Sequence, residues 1–321
     1  MRKMDNNKTA IAWAEVYLAN NQYILQGSFE TVRIMPWSSV YRVLTSRGYI
    51  YLKLMAPPFV IEAKLLNYLA GQFSVCLPTV ITIKEELACF LMVDAGMPLR
   101  YFLKDNYQID LSFEALNSYA ILQHATINQV DDLLSLGVPD WRLEKLPNLY
   151  QELISKQKFL ALDGLNHSEI NKLEQLQLKF SNLCDKLLGY KIPETIEHCD
   201  FHDNNILMKE DKFIFNDWGD AVISHPFFSL VSWLKSAERN HNITKGSEIY
   251  NKLRNTYLNN WLTYGTIDRL LEVYELAEKI GTIKFAASFY RITTCAGMDS
   301  LNQYKSTIAQ ALRSFIQLVD N

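Results

Sequence analysis

The sequence contains no C-x-x-C pair. Its five cysteines, Cys76, Cys89, Cys184, Cys199 and Cys295, are odd in number and widely scattered. This argues against a disulfide framework and a zinc–thiolate site, and it fits reduced thiols in a cytoplasmic protein. A basic excess is also missing. The 32 Lys and Arg face 35 Asp and Glu, a net charge of −3, so no charge draws the chain to nucleic acid or an anionic membrane. No stretch approaches the roughly 20 apolar residues of a membrane span. The opening MRKMDNNKTAIAWAEVYL meets Asp5 and Glu15 before an apolar run develops, which speaks against a signal peptide. No repeat or low-complexity segment is present. What remains is 321 residues, 49% hydrophobic and 21% charged, a globular composition long enough for two lobes with separate cores.

Strand patterns concentrate near the start. Residues 30–34, 40–44 and 49–54 alternate or are rich in β-branched and aromatic side chains, with Arg47-Gly48 as a turn signal. Residues 59–69 follow Pro57-Pro58 with helical spacing, and 80–83 and 88–93 read as a strand pair. The first ~95 residues are thus expected to form a sheet with one helix. Asp94-Ala-Gly-Met-Pro98 is the expected linker. Helical patterns follow over 112–130, 140–162, 167–190, 226–240, 247–264, 266–294 and 298–319, interrupted by a strand-like stretch at 194–217. The expected fold is α+β and bilobal. Residues 1–94 form a strand-rich nucleotide-binding lobe, and 95–321 a helical lobe carrying a catalytic loop and an acceptor site.

The interruption holds the chemistry. In His198-Cys-Asp-Phe-His-Asp-Asn-Asn205, Asp200 precedes Asn205 by five residues, and Asp217-Trp-Gly219 follows an apolar run. Phosphoryl transfer needs a carboxylate to orient and deprotonate the attacking hydroxyl, and oxygen donors to fix Mg²⁺ on the phosphates. Order and spacing match the protein-kinase pattern H-R-D-x-x-x-x-N and D-F-G, with Cys199 for Arg and Trp218 for Phe. Asp200 is therefore the candidate base, and Asn205 and Asp217 the candidate Mg²⁺ ligands. Lys53 on a strand and Glu62 on the first helix are the candidate pair that holds nucleotide phosphates. Met35–Val43 lies where a phosphate-covering loop belongs but has no glycine, leaving Ser38 and Ser39 as donors. Met92 and Asp94, at the linker, complete the nucleotide-contact candidates. His198 is expected to support the loop. Asp203 and Asn204 read as turn residues, and Asp220 as an acid that either orients the loop or touches a second metal.

These residues resemble the aminoglycoside phosphotransferase/choline kinase-like family of small-molecule kinases. The resemblance rests on His198-x-Asp-x-His-x-x-Asn-Ile-Leu207, Phe215-Asn-Asp-Trp-Gly-Asp-Ala221 and His225-Pro-Phe-Phe-Ser-Leu230, supported by Val40–Val43, Lys53, Glu62 and Leu122–Ala125. It implies ATP- or GTP-dependent transfer of the γ-phosphoryl group to a hydroxyl of a small polar molecule such as an aminoglycoside, amino alcohol or sugar. Cys199 stands where the family usually has Gly, and Ser229 where Asp often follows Pro-Phe-Phe. No A-P-E segment or long activation loop follows Asp217, unlike a protein kinase.

The acceptor is expected over the helical lobe beyond residue 230. Acids there (Glu238, Glu248, Asp268, Glu272, Glu275, Glu278, Asp299) suit amines, and aromatics (Trp233, Trp261, Tyr264, Phe289, Tyr290) suit a quaternary ammonium. Two readings compete. A metal-dependent hydrolase would use the His198/Asp200/His202 cluster, but His124, His167, His225 and His241 offer it no motif of further ligands. A catalytically inactive kinase-fold binding protein would not need Lys53, Asp200, Asn205 and Asp217 together.

Overall fold

Period-two alternation builds the small lobe. In the computed structural model, which describes residues 2–72, 77–105, 107–296 and 304–320, strands β1 (Glu30–Ile34), β2 (Ser38–Thr45), β3 (Gly48–Met55), β4 (Val80–Lys84) and β5 (Cys89–Val93) form one antiparallel sheet. Its order is β1-β2-β3-β5-β4, with Val40 opposite Lys53. On one face Val43, Ile50, Leu52, Leu54 and Leu91 pack against helix α1 (Arg2–Asn20) through Ala10, Ala14 and Leu18. On the other face Met55, Phe90 and Met92 join the core that contains Leu65, Leu66 and Leu69 of α2 (Ile61–Gln72). Because side chains alternate along a strand, Lys53 shares this second face and turns toward the cleft.

Two helices, not one, accompany the sheet. The sequence signal for the first was present: Ala10, Ala14 and Leu18 recur every four residues, and all are fully buried.

The chain then crosses to the helical part through β6 (Met97–Pro98), a strand within the expected linker. The helices there are α3 (Leu99–Leu103), α4 (Ile109–Thr126), α5 (Val130–Leu136), α6 (Leu146–Ile154), α7 (Gln157–Asp163), α8 (His167–Gln175) and α9 (Gln177–Leu188). The expected helices over 140–162 and 167–190 are therefore each split in two, whereas α4 fills most of 112–130. Apolar periodicity continues across the breaks because both halves pack on the same core, so the pattern alone does not reveal a change of direction.

Next come β7 (Thr195–Glu197), β8 (Ile206–Lys209), β9 (Lys212–Phe215) and β10 (Val222–Ser224). β6, β8 and β9 form a three-stranded sheet, and β7 pairs with β10, a strand too short to register in the sequence. Helices α10 (Phe227–His241), α11 (Glu248–Asn259), α12 (Ile267–Ala296) and α13 (Thr307–Asp320) complete the lobe. Part of the expected 298–319 helix, with Asp299, lies outside the described residues, as does Cys76. The described cysteines are free thiols. No helix among the described residues is long and apolar enough to cross a membrane.

Candidate active site

The loop between β7 and β8 and the turn after β9 converge on one point in the cleft. Asn205 Nδ2 donates to the Asp200 carbonyl and to its Oδ2, both at 2.9 Å. The Asn216 N–H donates to the Asn205 carbonyl at 2.8 Å, tying the two loops together. His198 Nε2–H donates to the Asn216 carbonyl at 2.8 Å, the supporting role expected of it. Its ring is buried, and burial lowers its pKa, so it stays neutral.

Two residues here hold backbone that side chains rarely adopt. Cys199 has φ +66° and Asp217 φ +67°, both left-handed. Such strain clusters at functional sites. It also gives a physical reason for glycine at the Cys199 position, since glycine takes this conformation without a Cβ penalty.

Asp200 and Asp217 are each about half exposed, toward the cleft. Burial pushes the Asp200 carboxyl up, but the hydrogen bond and charge of His202, at 3.2 Å, outweigh it and hold Asp200 well below the usual range. The same contact raises His202 against its own burial. His202 therefore touches the candidate base directly.

Across the cleft Lys53 Nζ lies 2.8 Å from Glu62 Oε1 and 2.6 Å from Asp217 Oδ1. Burial works against the ammonium, yet Asp217 and then Glu62 hold its pKa above the ordinary lysine value. Burial pushes Glu62 up to about 7 against the pull of Lys53, and the charge of Asp217 adds to the rise. Glu62 Oε1 also accepts the Trp218 N–H at 3.2 Å, which fastens α2 to the Asp217 segment. Gly219 allows this approach, because a Cβ there would sit 3.3 Å from Phe59 Cβ.

Lys53→Ala is expected to lower nucleotide kcat/KM by about 10- to 100-fold, the worth of a charge-assisted contact. Glu62→Ala is expected to do so more mildly. Because both act through one ammonium, the double variant loses less free energy than the two singles combined. Steady-state kinetics of the four proteins form that cycle, and full additivity would break the pair.

Two cavities meet at Asp200. One of about 210 Å³ is lined by Lys53, Glu62, Asp217, Ser38, Trp37 and Tyr304, among others. The other, about 590 Å³, is lined by residues of α10, α12 and α13. Cys199, Asp200 and Phe285 border both.

The remaining candidates sit elsewhere. Ser39 is buried beside α1, 3.5 Å from Asn7 Nδ2. Met92 belongs to the core, and Asp94 accepts Lys209 Nζ on its carbonyl at 2.7 Å; neither lines the cavity of Lys53. Trp233 and Trp261 are buried, Tyr264 lies against Trp261, and Tyr290 packs on Phe159. Phe289 lines the smaller cavity. None of the described acids expected to read the acceptor borders the larger one.

Three features were not legible. Asp203 lies in the expected turn, but its carboxylate does more than shape it. It is buried, and receives Arg100 Nη2 at 2.7 Å and His241 Nε2 at 2.7 Å. Asp220 pairs with Arg291 at 2.9 Å, and burial pushes it up to about 6 despite that partner. Glu197, buried next to His198, pairs with Lys284 and accepts from Ser229 at 3.0 Å. The serine that replaces the family's frequent acid thus binds an acid from β7. As for the hydrolase reading, His198 is turned to a backbone carbonyl, and no group of three or more His, Cys, Asp or Glu among the described residues could hold a metal.

A lysine reaching from an antiparallel sheet to an acid, beside a loop that pairs Asp200 with Asn205, defines a phosphotransferase of protein-kinase-like fold. The chain belongs to the phosphotransferase enzyme family, whose sequence profile matches residues 36–267. It is a phosphotransferase acting on hydroxyl acceptors. No curated protein matches it in sequence. Among solved structures it is similar to a macrolide 2'-phosphotransferase type I (12% identity, 92% of this chain and 96% of that one, TM-score 0.61). It is also similar to an ethanolamine kinase of Plasmodium vivax (13%, 91% and 82%, 0.62). A third is APH(2")-IIa in a ternary complex with streptomycin and ATP (14%, 95% and 97%, 0.60).

Proposed function

We propose that the chain transfers the γ-phosphoryl group of ATP (or GTP) to a hydroxyl of a small polar acceptor, with Asp200 as base and Mg²⁺ held by Asn205 and Asp217. The observation that carries this is the position of Asp200 on the border of both cavities. A nucleotide on the Lys53 side and an acceptor on the other would meet at its carboxylate. In this reading residues 1–94 hold the nucleotide, and 95–321 supply the catalytic loop and the acceptor site.

The donor set suits a hard cation. Asp217 offers a carboxylate, and Asn205 uses its Nδ2 on Asp200, so that its Oδ1 has no hydrogen-bond partner among the described residues. Bound there, Mg²⁺ would neutralise charge on the phosphate oxygens. Lys53, drawn from Asp217, then holds phosphate oxygens while Glu62 keeps it aimed. Asp200 takes the proton of the acceptor hydroxyl as its oxygen bonds to the γ-phosphorus. The bond from that phosphorus to the bridging oxygen breaks, and the nucleoside diphosphate leaves.

Calorimetric titration of ATP with and without Mg²⁺ tests the donor half. Asp217→Ala is expected to abolish the gain in affinity that Mg²⁺ gives, and Asn205→Ala to weaken it less, since an amide brings no charge. An unchanged Mg²⁺ dependence in the Asp217 variant would place the metal elsewhere.

A further inference from the structure

Among the described residues, the larger cavity is lined by a single carboxylate, Asp200, and by four cationic side chains: Arg100, Lys235, Arg239 and Lys284. Two of the four have counter-ions built into the wall behind them. Arg100 is held by buried Asp203, and Lys284 by buried Glu197. Lys235 and Arg239 differ, because among the described residues neither makes an ion pair. They stand four apart on α10, so they rise from one face a turn apart. The acids nearest Lys235 are Glu238 and Glu278, and Glu278 already takes Lys245 Nζ at 2.6 and 2.7 Å.

Lys235 is half-buried, and burial lowers its pKa. Lys235 and the exposed Arg239 are like charges a turn apart, and the acids near Lys235 neither line the cavity nor pair with either cation, so folding does not fully relieve them. A bound anion would. A polycationic amino sugar or a choline-like ammonium would meet the reverse, with two unneutralised cations and only the base as partner.

We infer that the acceptor is an anionic alcohol, a hydroxylated small molecule with a carboxylate or phosphate group that Lys235 and Arg239 bind while its hydroxyl faces Asp200. This rests on the phosphotransferase reading. The transfer itself is unchanged: the hydroxyl oxygen gains the phosphoryl group, the nucleoside diphosphate leaves, and the proton goes to Asp200. The added content is which end of the acceptor points away from the chemistry, and why.

Two series of acceptors test it: glucose, glucosamine, gluconate and glucose 6-phosphate, and glycerol, 3-amino-1,2-propanediol, glycerate and glycerol 3-phosphate. Each is assayed with the full chain, Mg²⁺ and ATP for nucleoside diphosphate release, and with Mg²⁺ and ADP for thermal stabilisation. The carboxylate or the phosphate members are expected to bind or turn over at least about tenfold better than their neutral and amino counterparts. The two arms separate the two anions. Lys235→Gln and Arg239→Gln should each raise KM for the favoured anion about tenfold with a smaller change in kcat, and Lys235→Arg should restore most of it. Preference for the amines, or no stabilisation by any anionic member while ADP still binds, would overturn the inference and leave the kinase reading standing. Absence of Mg²⁺-dependent nucleotide binding would overturn the kinase reading itself.

Discussion

Asp200→Ala and Asp200→Asn are expected to reduce kcat by about 10²- to 10⁴-fold, the range of a positioned acid–base group. Nucleotide affinity should change little. The carboxylate receives Asn205 on one oxygen and His202 on the other, which fixes its direction before any substrate arrives. His202 holds the Asp200 carboxyl below the usual range, so the group is a carboxylate at neutral pH without any titration step. Asparagine retains size but cannot accept the hydroxyl proton. Rapid-quench or steady-state rates with saturating Mg²⁺ and ATP decide the matter. A variant that keeps more than a tenth of the wild-type kcat would remove Asp200 from the role of base.

Lys284→Ala is expected to destabilise the protein by about 3–5 kcal/mol, the cost of leaving a buried carboxylate without its cation. Lys284 and Glu197 are both almost wholly buried and lie 2.5 Å apart. Glu197 ends β7 and immediately precedes His198, so an uncompensated charge there would be felt where the catalytic loop begins. Removing both charges, as in Lys284→Met with Glu197→Gln, should recover at least half of the loss, because an apolar or neutral pair has no ion to desolvate. Urea unfolding of the single and double variants measures it. A loss under about 1 kcal/mol for Lys284→Ala, no more than an average substitution, would mean that water reaches Glu197.

What the sequence revealed and what it hid divide by separation along the chain. Asp200, Asn205 and Asp217 lie within one loop–hairpin–turn unit, so their spacing in sequence constrains their spacing in space. Lys53 and Glu62, nine residues apart on a strand and the next helix, were readable for the same reason. The supporting pairs were not. Arg100 meets Asp203 from 103 residues away, and Arg291 meets Asp220 from 71. On the long helix α12 a cation that faces the core, such as Lys284, looks in sequence like one that faces water. The same blindness applies to the helices beyond residue 230. Acids such as Glu248 are solvent-exposed, and Trp233 and Trp261 are packed inside, while the residues that do line the cavity are ordinary helix cations and small polar side chains.

Gly96 has φ +96°, and a Cβ on it would lie 2.1 Å from the Met208 carbonyl oxygen, so the crossing chain is pressed flat against β8. Met97 and Pro98 pair with Met208 and Leu207, and Lys209 holds the Asp94 carbonyl from the same strand. The crossing is thus anchored to the hairpin that begins at Asn205. Asp200, Asn205 and Asp217 all stand on that anchored side, and Lys53 and Glu62 stand on the other. The enzyme is built like a caliper with one fixed jaw. The reach of Lys53 to Asp217 depends on how the two lobes are set, whereas the gap between Asp200 and Asn205 is made within the one loop.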